Sequence, residues 1–230
     1  MLRYDGPDWR DVSLFYRATY RLGRRPLIAL VPLFAKGAEN MPRSGGVIIA
    51  PNHQTYADPV LVAAVMPRPS FFLAKAELFR NRFTNWFFRS NGAVPVFRGA
   101  REGNPDAVRF AREKLESGHA VMVYPEATRA GPDALLEFRT GVARLALETG
   151  CPILPVGLDL YRFWPHDRTF PRFGRGAWIA VGEPWTPARD LDVVREADPA
   201  RAATRALAER VGGLVAECRA ARARRDRWKP

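Results

Sequence analysis

Cysteine is nearly absent from the 230 residues: Cys151 and Cys218 stand alone, and neither belongs to a C-x-x-C pair. That excludes a disulfide scaffold and a thiolate zinc site, and it fits a reduced, cytosolic protein. Long apolar runs are also missing. The longest charge-free apolar run near the start, Pro26 to Ala35, spans ten residues with two prolines, whereas a bilayer span takes about 20. No basic n-region, apolar run and small-residue cleavage site open the chain, so no secretory leader is expected. Neither G-x-S-x-G, a Walker loop nor H-E-x-x-H occurs, which disfavours serine-hydrolase and zinc-peptidase chemistry. Cys151 lies between Gly150 and Pro152 without a nearby base, so a cysteine hydrolase is disfavoured too. Of only three histidines, His119 and His166 show no ligand-like spacing, and no metal site is expected.

Acidic residues are the scarcer charge, 24 against 36 Lys plus Arg, for a net +12. The excess points to an anionic partner: nucleic acid, a phospholipid surface or a phosphorylated small molecule. Charge alone does not choose among them. Hydrophobic residues make up 47% of the chain, enough to build a core and to exclude disorder.

Periodicity organises the rest. Trp9 to Leu22 reads as a basic amphipathic helix, with Val12, Phe15, Tyr16, Thr19 and Leu22 in one arc and Arg10, Arg17, Arg21 and Arg24 opposite. It can lie in a membrane interface, with Trp9, Tyr16 and Tyr20 at headgroup depth, or its apolar face can pack on the domain; the apolar stretch that follows favours the membrane. Val47 to Ala50 is a short buried strand that Pro51 should stop. Pro59 makes Asp58 the natural N-cap of a helix over PVLVAAVM. A strand ends near Lys75, and a helix then runs to about Ser90, burying Phe79, Phe83, Trp86 and Phe87. Ala93 to Phe97 is an edge strand interrupted by Pro95. A helix from Pro105, a strand into YPE, a helix closed by Gly150, two more strands and a long helix capped by Asp198 complete the order. The alternation predicts an α/β fold: a single domain with a mixed, largely parallel central sheet flanked by helices. Residues 1–35 form an N-terminal amphipathic helical segment and residues 36–230 the domain proper.

Two polar clusters follow buried strands, the position at which open α/β sheets bind ligands. The first is Asn52, His53 and Asp58. A loop between His53 and Asp58 lets the carboxylate accept one imidazole N–H and leaves the other nitrogen as a base. The second is Tyr124 to Arg129, with Glu126, Thr128 and Arg129, and Arg98 also ends a strand. Arg98 and Arg129 can converge on a phosphate, which suits a planar guanidinium.

These clusters resemble, in order, the blocks of the glycerolipid acyltransferase family, whose best-known members acylate lysophosphatidic acid. Asn52, His53 and Asp58 match the first block; Gly92 and Arg98 the second, with Phe97 where the family carries Asp; Pro125, Glu126, Thr128 and Arg129 the third, with Ala127 where it carries Gly; and Pro155 the fourth. The resemblance covers about Lys36 to Pro184. It implies that His53 is the general base and Asp58 its orienting partner, that Arg98, Glu126, Thr128 and Arg129 hold the acceptor's glycerol phosphate, and that Asn52, Gly92, Pro125 and Pro155 support them. It further implies acyl transfer from a thioester of coenzyme A or acyl carrier protein to lysophosphatidic acid, without an acyl-enzyme or cofactor, on the cytoplasmic face of the cell membrane. The alternatives are another lysophospholipid or glycerol 3-phosphate as acceptor, or a non-catalytic module binding anionic surfaces or nucleic acid. No recognition-helix or base-stacking pattern favours nucleic acid.

Overall fold

Val47, Ile48, Ile49 and Ala50 are all fully buried, because the strand they form is covered on both faces. The computed structural model describes residues 12–96, 105–131, 134–164, 172, 175–225 and 228, apart from the side chains of residues 25 and 30. Along this strand, β2 (Val47–Pro51), odd and even residues serve different layers, as the two-residue repeat of a pleated strand requires. Val47 and Ile49 pack with Leu61, Val62 and Val65 of α3 (Asp58–Val65). Ile48 and Ala50 pack against α5 (Pro105–Glu116), α6 (Gly141–Thr149) and α7 (Pro199–Arg224) through Leu115, Leu145, Val211 and Val215.

The other strands are β1 (Leu33–Lys36), β3 (Ser70–Lys75), β4 (Ala93–Val96), β5 (Ala120–Met122), β6 (Ile153–Asp159) and β7 (Ala177–Val181). They join β2 in one seven-stranded sheet of order β1-β7-β6-β2-β5-β3-β4. Every neighbouring pair is parallel except β6 and β7. This is the expected mixed, largely parallel α/β architecture. β1 pairs with β7 in the sheet, so a division at residue 35 falls inside a strand.

Four local expectations are corrected. Strand β2 runs through Pro51, which lies opposite Val156. The carbonyl of Ile49 accepts from Val123 on the β5 side; Pro51, two residues on, turns its nitrogen the same way, beyond the end of β5, so no ladder bond is lost there. Asp58 is not a cap: α3 begins at Asp58 with Ala57 in the cap position and no side-chain cap.

The N-terminal helix is the third correction. Ser13 caps α1 (Leu14–Ala18) by accepting the Tyr16 N–H, a π-helical turn covers Thr19–Gly23, and α2 (Arg24–Leu30) continues through Pro26. Val12 and Tyr16 are buried as expected, but Leu22 is 74% exposed; the wider π turn rotates it off the inner face. The Tyr16 hydroxyl donates to Ser70 O at 2.8 Å, and the Tyr20 hydroxyl donates to Met66 O. Both tyrosine hydroxyls are thus bonded to the backbone of the domain, while Trp9 and Arg10 lie outside the described residues.

Fourth, α4 (Arg82–Ser90), reached through a 3-10 turn at Ala76–Phe79, turns its aromatics outward. Phe83, Trp86 and Phe87 are 67%, 51% and 40% exposed. This helix links β3 to β4, which lies at the end of the sheet among the described residues, and Phe15 of α1 covers the aromatics only in part.

Candidate active site

The loop after β2 is wrapped around one carboxylate. Asp58 is fully buried. Its Oδ2 lies 2.7 Å from His53 Nδ1 and accepts the Gln54 N–H at 2.6 Å; its Oδ1 accepts the Thr55 N–H at 2.9 Å and the Thr55 hydroxyl at 2.6 Å. Thr55 Oγ1 in turn accepts the Ala57 N–H. The Thr55-to-Asp58 spacing, a local turn signal, makes this possible. Because a carboxylate can only accept, the His53 proton sits on Nδ1 and Nε2 is left as an acceptor.

The sheet end fixes the same loop from below. Asn52 donates to and accepts from the backbone of Leu158 at 3.1 and 2.7 Å, continuing the β2–β6 pairing by side chain. Gln54 accepts the Leu160 N–H at 2.7 Å. Pro155 lies beside Ala50 in that pair of strands. Gly92 closes the turn from α4 to β4 at φ 79°, where a Cβ would come within 3.2 Å of both Tyr16 and Phe71. These residues are structural supports.

The second loop meets the first through His53's own backbone. Glu126 Oε1 accepts the His53 N–H at 2.9 Å, and the His53 carbonyl accepts the Ala130 N–H at 2.7 Å. Glu126 is buried, and its Oε2 accepts the Leu136 N–H at 3.0 Å. Burial pushes its carboxyl pKa up, against the opposing pull of these amides and of His53. Both oxygens thus accept backbone N–H groups, and Glu126 ties the backbone of His53 to that of Leu136. Pro125 contributes its carbonyl to the Arg139 N–H at 2.9 Å.

Arg129 and Thr128 remain on the outer side of this loop, with Thr128 exposed. The Arg129 guanidinium lies 3.7 Å from the centre of the Tyr56 ring and donates to the Tyr56 hydroxyl at 2.9 Å. Its Nη1 is buried without a partner, a donor that an incoming anion can satisfy. Ala127 adopts φ 55°, the left-handed conformation that the Gly of the family pattern allows freely and a Cβ resists. Arg98, Phe97 and His166 lie outside the described residues. His119 is buried edge-on to Phe71. Among the described residues, no group of three His, Cys, Asp or Glu side chains could hold a metal ion.

Two site residues were passed over in the sequence. Tyr124 stacks on the His53 ring, centroids 4.1 Å apart and 29° between planes; burial, then the Asp58 charge, drives its phenol pKa well above the ordinary value. Tyr56 is the shelf for Arg129. Both stand inside the quoted clusters, but neither ring has a periodicity that would mark it. The backbone N–H groups of His53, Gln54 and Thr55 all point at carboxylates, so they are not available as oxyanion donors.

Comparison with known proteins places this geometry. A family model described as Acyltransferase matches residues 33–159. Over 168 residues the chain is 30% identical to a 1-acyl-sn-glycerol-3-phosphate acyltransferase of Neisseria meningitidis, covering 73% of this chain and 63% of that one. Over 131 residues it is 32% identical to the protein of that name from Borreliella burgdorferi, covering 57% and 52%. It is also 27% identical over 164 residues to a lyso-ornithine lipid O-acyltransferase of Pseudomonas aeruginosa, covering 71% and 62%. The chain thus spans between half and two thirds of these relatives' length. The crystal structure of the 1-acyl-sn-glycerophosphate acyltransferase of Thermotoga maritima superposes with a TM-score of 0.71 at 28% identity, covering 94% of this chain and 81% of that one.

Proposed function

From the premise that this chain belongs to the Acyltransferase family, we propose that it acylates the free hydroxyl of lysophosphatidic acid from an acyl thioester, giving phosphatidic acid. The observation that carries the reading is the His53 Nδ1 to Asp58 contact of 2.7 Å, which leaves Nε2 as a base. Nε2 takes the acceptor's hydroxyl proton as its oxygen forms a bond to the thioester carbonyl carbon. The carbon–sulfur bond breaks as the tetrahedral species collapses, and the imidazolium returns its proton to the leaving thiolate. A thioester is already activated, so no acyl-enzyme is needed, and base catalysis of this kind is worth about 10² to 10⁴ in rate.

Asp58 steadies the imidazolium, and Tyr124 holds the ring from one face. Arg129, kept flat on Tyr56, receives the acceptor's phosphate, with Arg98 as its expected companion and Thr128 beside it. The donor is coenzyme A or acyl carrier protein, both acidic, and the +12 charge suits either. The enzyme works as a peripheral protein on the cytoplasmic face of the membrane; among the described residues no helix is long and apolar enough to cross one.

A second reading keeps the chemistry and changes the acceptor, because a relative named for lyso-ornithine lipid matches over a similar stretch. The deciding assay supplies acyl-thioester to purified protein with lysophosphatidic acid, glycerol 3-phosphate, lysophosphatidylcholine or lyso-ornithine lipid, and reads products by mass spectrometry. Phosphatidic acid formation that His53→Ala abolishes is expected. Turnover of a different acceptor alone selects the second reading, and transfer that survives His53→Ala overturns the mechanism.

A further inference from the structure

The outward aromatics of α4 are the largest departure from the sequence expectation. Phe83, Trp86 and Phe87 form one cluster, with Phe83 6.0 Å from Trp86 and 6.4 Å from Phe87 between ring centres. Phe15 of α1 joins it, 4.8 Å from Trp86. Leu14, 81% exposed, extends the apolar surface along α1. A surface this rich in large apolar side chains calls for a partner. On the helical wheel, Arg82 and Arg89 follow Trp86 along one flank; both are exposed. An aromatic strip edged by arginines suits a bilayer interface, where rings sit at headgroup depth and guanidinium groups meet lipid phosphates.

We infer that α4, together with Phe15 of α1, is a membrane-docking face that seats the protein on anionic phospholipid. A second copy fits the surface less well. A two-fold contact would press each protomer's Arg82 and Arg89 toward those of its partner, in a protein already at +12. Continuity with the catalytic region also favours lipid. Beside the strip a groove of about 300 Å³, lined by Tyr20, Leu27, Val60, Phe72 and Phe88, runs between α1, α2, α3 and α4. Val60, 55% exposed, stands two residues from Asp58 on the same helix. A lipid acceptor can therefore pass from a docked bilayer along apolar surface to α3. That purpose rests on the proposed lipid acceptor, whereas the docking itself does not.

The test measures full-length protein on vesicles of phosphatidylcholine and phosphatidylglycerol, without substrate. Phe83→Ser/Trp86→Ser should lower the partition coefficient at least tenfold, since two large apolar side chains leave the interface. Turnover of a short-chain acceptor dispersed as monomers should stay at the wild-type level, which separates lost docking from lost fold and from failure of the proposed chemistry. A conservative variant provides a second reading: Trp86→Phe should sediment with vesicles like wild type but lose most of the fluorescence quenching by brominated lipids. Unchanged partition of the serine double variant would overturn the inference, as would a wild-type dimer that the variant converts to monomer, or quenching that survives Trp86→Phe.

Discussion

The two loops that build the candidate site are tied down in opposite ways. Residues 52–58 turn their polar groups inward: one buried carboxylate gathers the imidazole, two amides and a hydroxyl, and the sheet end holds Asn52 and Gln54. Residues 124–131 invest in the other loop and in solvent: Glu126 and Ala130 grip the backbone of His53, while Thr128 and Arg129 face outward and Ala127 sits in a strained conformation. A base must not move between turnovers, whereas a group that receives a charged substrate needs capacity to spare. Under the proposed function, the difference separates chemistry from recognition along the chain.

The sharpest way to break this division is at the carboxylate. Asp58→Asn sets an NH₂ against groups that donate to it and frees the imidazole, so kcat should fall about 10² to 10⁴ with KM for acceptor little changed. Steady-state kinetics check it, and a variant that lost affinity instead would erase the division. The second loop should respond conversely. Arg129→Ala removes a charge-assisted contact worth about 1.5–3 kcal/mol, so KM for phosphate-bearing acceptors should rise about 10- to 150-fold while kcat holds. Tyr56→Leu should follow in the same direction, and Tyr56→Phe should show less.

Glu126 lies on the boundary, outside recognition although it belongs to the recognition loop. Glu126→Gln leaves one of two buried amides without an acceptor, at about 1–3 kcal/mol, and should lower both Tm and kcat. Its pH signature is specific. Folding raises the Glu126 pKa above its ordinary 4.5, so the folded state holds the proton more readily than the unfolded chain. Its contribution to stability is therefore greatest at low pH and declines as pH rises through the raised value. Denaturant titrations across that window should show the decline in the wild type and its absence in Glu126→Gln. The smallest effect is expected at Ala127: Ala127→Gly relieves the left-handed strain, offset by a freer unfolded chain, and should raise stability by up to about 1 kcal/mol.

Much of this was legible before any coordinates. Alternating apolar strands and helices give the sheet, and the His53-to-Asp58 spacing across a loop gives the dyad. What was not legible shares one physical cause: a side chain's destination depends on what the fold sets opposite it. Glu126 and Arg129 are both polar residues after one strand, and nothing local tells that one turns under the loop while the other turns out. The apolar stripe of α4 was visible, but the wheel that marks a stripe does not say whether a neighbour covers it, and α4 lies at an edge strand. The π turn at Thr19–Gly23 shifts the phase of a helix whose periodicity was otherwise clear.

One feature of the sheet bears on how the protein is made. Among the described residues strand β1 pairs only with β7, Leu33 against Ala177, residues separated by 144 positions (177 − 33). At a synthesis rate of about 5–20 residues per second, β7 follows β1 out of the ribosome by about 7–30 s. Throughout that interval β1 lacks its sheet partner, so a strand made early is closed into the sheet late, and during that wait it is open to chaperones or to a nearby membrane.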